Sequence, residues 1–281
     1  MFKRVMVAVV GLPLLILILG WAPSWATMLL LAAMCAIGAW ELMHAAAGER
    51  GRPLIPLTVI AAALVPVCVY AEVSIENTEL TALPVLPLTA LLGAVLVLAL
   101  FVVSICRYGG ERAVPFAVLT TAIFAGLVFP LMLSCMLRLR MVPYIGMLLV
   151  FFPLCISFGS DTFAFFAGLL FGKHKLTPVS PKKTVEGAIG GLIGGVIGMM
   201  IMPFVGGMVI SDAFMSPTMA VAFGLLGSVV SQIGDLSFSV IKREFGVKDY
   251  GNLLPGHGGI LDRFDSVTFV APFVWLLLEL I

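Results

Sequence analysis

Apolar runs of eighteen or more residues recur along the chain, separated by short polar breaks. Runs of that length are read as membrane-spanning helices, because in lipid each spanning backbone must satisfy its own hydrogen bonds. Hydropathy predicts about nine of them, near residues 4–21, 24–46, 54–71, 84–106, 114–136, 144–171, 186–209, 217–241 and 264–281. The expected fold class is all-α, a polytopic integral membrane protein. Lys3 and Arg4 ahead of the first run and Ser24-Trp25-Ala26 after it also suit a signal peptide; a retained first helix is favoured because a second apolar run follows at once.

The polar positions divide the chain into two regions, 1–140 and 141–281. The first carries few intramembrane ionisable groups beyond Glu41 and His44, and is expected to be scaffold and lipid-facing wall. Its prolines, among them Pro13, Pro66, Pro84 and Pro130, are expected to kink or end helices. The second is expected to be the catalytic region. Gly187, Gly190, Gly191, Gly194, Gly195 and Gly198 form a small-residue face for close helix packing. In the eighth span Ser228, Ser231, Gln232, Asp235, Ser239 and Lys242 fall on one helical face, with Val229, Ile233, Val240 and other apolar residues around the rest. That stripe should face protein or water, since acids within a span usually meet a partner or a cavity. Asp161 is a second acid inside an apolar run.

Composition agrees: 61% of residues are hydrophobic, 11% are charged and mean hydropathy is +1.17. A formal net charge of +1 is no footprint for nucleic acid, and none is expected as a partner. Cys35, Cys68, Cys106, Cys135 and Cys155 stand singly and are expected as buried small hydrophobes. Basic residues at 3–4, 50–52, 107–112, 173–183 and 242–248 fall on one side, which the positive-inside rule makes cytoplasmic. Arg138 and Arg140 break that pattern and make the fifth and sixth spans the weakest part of the topology.

The dense charge of residues 235–265 does change the picture. Five acidic and four basic residues share this stretch with Gly256-His257-Gly258-Gly259. The glycines allow close backbone approach and N–H groups directed at an anion. Asp262 and Asp265, three apart, lie on one side of the last helix, where the helix dipole alone would also favour them. Carboxylates repel phosphate unless a cation lies between, so the combination points to a divalent metal with a phosphorylated ligand, and Mg²⁺ suits it. A second charged cluster, Lys173-His174-Lys175 and Ser180-Pro181-Lys182-Lys183-Thr184-Val185-Glu186-Gly187, lies on the same expected side. An inner basic loop also has the ordinary topological explanation.

Ser239-Val240-Ile241-Lys242-Arg243, Lys248-Asp249 and His257-Gly258-Gly259-Ile260-Leu261-Asp262-Arg263-Phe264-Asp265 resemble the signature of the phosphatidate cytidylyltransferase, or CDP-diacylglycerol synthase, family. Ser160-Asp161, the 180–187 segment and Gln232-Ile233-Gly234-Asp235 agree, so the resemblance covers residues 157–266 without a departure. It implies transfer of a cytidylyl group from CTP to phosphatidate by a Mg²⁺-dependent homodimer in a bacterial inner membrane, with the site open to the cytoplasm. A second, monovalent cation is an open addition. By position, Asp235 and Asp262 match metal-binding acids, and Ser239, Lys242, Arg243, Lys248, Asp249, His257, Arg263 and Asp265 match the active-site signature. Substrate binding is expected of Asp161, Lys173, Lys182, Lys183, Thr184, Gly258 and Gly259. His257 is expected to orient the glycine turn or bond a phosphate rather than act as a base. Two readings compete: a transporter or channel using the intramembrane acids, and the same chemistry on another lipid acceptor.

Overall fold

The structure is a computed structural model that describes residues 2–77, 87–111, 113–210, 214–251, 253 and 258–281, with side chains from residue 11 onward. The described residues form nine long helices. They are α1 (Phe2–Gly20), α2 (Ser24–Ala46), α3 (Gly48–Glu76), α4 (Leu88–Cys106), α5 (Phe116–Arg140), α6 (Gly146–Phe171), α7 (Val185–Ile210), α8 (Pro217–Glu244) and α9 (Leu261–Glu279). Seven of them, α2 to α8, are long and apolar enough to cross a membrane, and α1 and α9 complete the nine expected from hydropathy. The chain is an all-α, multi-pass membrane protein. The third helix begins at Gly48 rather than near 54, because a polar turn and the 3₁₀ segment Arg52–Leu54 lead into its apolar run.

Two compact units divide the chain. One comprises Met1–Met141 and Val247–Arg263, the other Val142–Gly246 and Phe264–Ile281. In the first, α2, α3 and α5 enclose a core that includes Leu42, Val65 and Leu133, each fully buried. Contact is close: a Cβ at Gly38 of α2 would lie 2.8 Å from the Phe129 ring of α5. α5 contains a π-helical turn, Phe124–Val128, immediately before Pro130. The missing proline N–H accounts for a local break in the i→i−4 ladder there. Pro13 and Pro66 lie inside α1 and α3, and Pro84 falls outside the described residues.

The two arginines that break the charge pattern have partners within this unit. Arg138 pairs with Glu72 of α3 at 3.3 Å. Glu72 also accepts the backbone N–H and the hydroxyl of Thr89, at 2.7 and 2.9 Å, which joins α3, α4 and α5. Arg140 Nη2 donates to Ala22 O at 2.8 Å, just past the end of α1.

In the second unit α6, α7 and α8 pack through the glycine face. Gly187, Gly190, Gly191, Gly194, Gly195 and Gly198 are all buried. A Cβ at Gly198 would collide with the Cys155 carbonyl, and one at Gly194 with the Gly159 carbonyl. Phe152 meets Phe223 edge-on at 5.8 Å, and Phe238 meets Phe269 of α9 at 6.2 Å. The cysteines are only partly as expected: Cys35 and Cys135 are buried, Cys68 and Cys155 half-buried, and Cys106 is exposed. Cys106 ends α4, a helix whose buried stripe is only Gly93, Leu96 and Leu100.

Candidate active site

In the second unit α8 turns its polar stripe inward. Ser228, Ser231 and Ser239 are buried and Gln232 and Asp235 half-buried, while Val229, Ile233 and Val240 are exposed. Gln232 donates to the Ala188 carbonyl of α7 at 3.0 Å. At the end of the stripe Asp235 forms an ion pair with Lys183 and accepts a long hydrogen bond, 3.5 Å, from Ser239 Oγ.

Lys183 belongs to the linker between α6 and α7, and the linker is folded. An antiparallel bridge pairs Lys175 with Thr184, and Leu176 N–H donates to Lys183 O at 3.0 Å. Thr184 then caps α7, its hydroxyl oxygen accepting Gly187 N–H at 3.1 Å. Glu186 accepts the N–H groups of Lys173 and His174 at 3.1 and 3.3 Å, and meets His174 Nδ1 at 2.6 Å. Arg243, at the end of α8, donates from Nε to Val179 O at 3.4 Å. Lys183 is thus fixed from both sides, whereas Lys173 and Lys182 are exposed.

Asp265, buried near the start of α9, is acted on by Asp235 and Asp161 as like charges and by Lys242 as an opposite one. Three carboxylates in one electrostatic neighbourhood repel each other unless cations lie among them. Lys183 and Lys242 supply two positive charges there.

In the first unit the signature turn is held by carboxylates. Tyr250 and Gly259 donate their backbone N–H groups to Asp262 Oδ2 at 2.9 and 3.0 Å. Ile260 and Leu261 donate theirs to Glu41 Oε1 and Oε2, both at 3.1 Å. Gly258 has a φ of +85°, in the left-handed region that favours glycine. Lys248, Asp249 and Arg263 are exposed and Asp262 is half-buried. His257 lies outside the described residues.

Comparison with known proteins agrees with these features. The profile of the cytidylyltransferase family matches residues 2–281. The chain belongs to the cytidylyltransferase family. It is 39% identical over 160 residues to the phosphatidate cytidylyltransferase of Bacillus subtilis (strain 168), a match covering 57% of this chain and 56% of that protein. It is 44% identical over 134 residues to the phosphatidate cytidylyltransferase of Staphylococcus saprophyticus, covering 47% of this chain and 50% of that protein. The like-named protein of Staphylococcus epidermidis (strain ATCC 12228 / FDA PCI 1200) is 45% identical over the same length. The chain spans about half the length of the relatives it matches.

For this cytidylyltransferase-family chain, the structure brings Asp161, Lys183, Asp235, Ser239, Lys242 and Asp265 together in one unit. Asp262, Gly258 and Gly259 gather in the turn of the other. The Gly259 N–H, expected to be offered to an anion, is donated to Asp262. Glu41 is the residue whose contact with the signature the sequence did not disclose. An acid at Trp40-Glu41-Leu42 inside an apolar run was the available signal.

Among the described residues no three His, Cys, Asp or Glu side chains converge as a preformed metal cage. Mg²⁺ does not require one, being held usually by one or two carboxylates, waters and substrate phosphates. Carboxylate oxygens beside lysine ammonium groups are a donor set that fits Mg²⁺ with a phosphorylated ligand better than a softer metal.

Proposed function

We propose that this chain is a phosphatidate cytidylyltransferase, transferring CMP from CTP to phosphatidate to give CDP-diacylglycerol and pyrophosphate. The observation that carries the reading is the cluster of Asp161, Asp235 and Asp265 with Lys183 and Lys242 in a helical membrane unit. That arrangement suits phosphates that need both a metal and fixed cations.

A phosphate oxygen of phosphatidate attacks the α-phosphorus of CTP in line; the new P–O bond forms as the bond to the β-phosphate bridging oxygen breaks. A phosphate monoester has a second pKa of about 6, so the nucleophile is largely ionised near neutral pH and needs no strong base. Asp235 and Asp262, by their match to the family signature, are the acids that would hold Mg²⁺. When bound, Mg²⁺ neutralises phosphate charge and polarises the phosphoryl oxygens. Lys183, Lys242 and Arg243 hold phosphate oxygens and offset charge on the leaving pyrophosphate. The Ser239 hydroxyl, hydrogen-bonded to Asp235, orients that carboxylate. The basic loops face the cytoplasm of a bacterial inner membrane, where CTP is available, and the working form is a homodimer.

The test is pyrophosphate release by the detergent-purified protein with CTP, Mg²⁺ and phosphatidate, each omitted in turn. Release that requires all three, with CDP-diacylglycerol as the lipid product, supports the proposal. Release with another lipid phosphate or an isoprenoid alcohol, but not phosphatidate, contradicts the acceptor; none with any acceptor contradicts the reaction.

A further inference from the structure

We infer that Glu41 is a positioning residue for the signature turn: its buried carboxylate holds the backbone leading into Asp262, and so sets the direction of the Asp262 carboxylate. The inference rests on the reading of Asp262 as a Mg²⁺-binding acid.

Glu41 is 1% exposed and lies on α2, about 220 positions before the groups it binds. Its two oxygens divide the work, Oε1 taking the Ile260 N–H and Oε2 the Leu261 N–H, each at 3.1 Å. These amides lie where the turn enters α9, among groups a helix leaves without intrahelical partners. Capping alone would be served by a local, uncharged Ser, Thr or Asn. A remote carboxylate buried in a spanning helix costs more, and it ties the turn to a rigid element.

The surroundings are shaped to this group. A Cβ at Gly251 would lie 2.6 Å from Glu41 Oε1, and one at Gly259 would overlap both oxygens, so the carboxylate occupies a slot that only bare backbone leaves open. Gly259, pressed on one side by Glu41, donates its N–H to Asp262 Oδ2 at 3.0 Å, and Tyr250 donates to that same oxygen at 2.9 Å. Glu41 therefore fixes residues 259–261, and residue 259 fixes Asp262. Loss of the first contact frees the second.

Glu41→Gln tests this in the full-length protein. The amide keeps one acceptor but turns an NH₂ group towards one of the two N–H donors. Amide hydrogen exchange in peptides covering 258–263 should quicken about tenfold or more. The Mg²⁺ concentration for half-maximal CTP-dependent pyrophosphate release should rise about tenfold, in the range found when groups supporting a metal ligand are removed. Gly259→Ala should produce both changes, and the double variant should be no worse than the more affected single one, because both act on one contact. Unchanged exchange overturns the inference. Faster exchange with an unchanged Mg²⁺ requirement also overturns it, leaving Glu41 a cap that does not direct Asp262. A wild-type protein without CTP-dependent release would instead defeat the proposed function, and exchange alone would then decide whether Glu41 holds the turn.

Discussion

In the unit that contains α1 to α5, buried charges join helices: Glu72 accepts from Thr89 and pairs with Arg138, and Arg140 reaches the end of α1. In the unit that contains α6 to α8, glycines join the helices, and the acids and lysines collect at the end of a polar stripe. The same residue types thus tie helices together in the first unit and gather into a charged cluster in the second. Charge inside a membrane protein is informative only with its partner. Arg138 satisfied by Glu72 is packing, whereas Asp265 among Asp235, Asp161 and Lys242 is a concentration of charge that packing does not require.

The largest effect that sharpens this contrast should come from Asp235→Asn and Asp262→Asn. Each is expected to lower turnover about 10²–10³-fold while the protein still inserts and purifies, measured as CDP-diacylglycerol formed per folded protein. Near-normal activity in either would remove it from the metal assignment. Lys183→Met deprives Asp235 of its cation and should cost about 10–100-fold in kcat/KM, with a smaller change in thermal unfolding. Gly198→Ala places a methyl against the Cys155 carbonyl and should destabilise by about 1–3 kcal/mol, read from unfolding in detergent. Arg138→Met leaves Glu72 buried with a lost partner; a similar destabilisation of about 1–3 kcal/mol is expected, with unchanged KM for CTP. A raised KM there would break the division between structural and reactive charge. Cys106→Ser, exposed at the end of α4, should change stability by no more than about 0.5 kcal/mol.

Much of the fold was legible because the bilayer imposes it: long apolar runs have few alternatives to spanning helices. The inward stripe of α8 followed from period alone, and Ser228 and Ser231 are fully buried as the offsets required. The charged residues stood out because those between 157 and 266 resemble the family signature. Contacts made across long separations were not. Glu41 lies outside the motif-bearing stretch, and nothing local to α2 says that it will meet the amides of Ile260 and Leu261. The partners of Arg138 and Arg140 were hidden for the same reason, since counting loop charges takes no account of a carboxylate 66 positions away. The Lys183–Asp235 pair likewise depends on how the α6–α7 linker folds, which neither residue's neighbours reveal.

The most direct measurement is the fate of label in CTP. With phosphatidate and Mg²⁺ supplied, CTP labelled at the α-phosphate should pass its label into a solvent-extractable lipid identified as CDP-diacylglycerol, and CTP labelled at the γ-phosphate should yield labelled pyrophosphate. Label from the γ-phosphate in the lipid would mean phosphorylation rather than cytidylyl transfer, and no transfer of either label by folded protein would contradict the account.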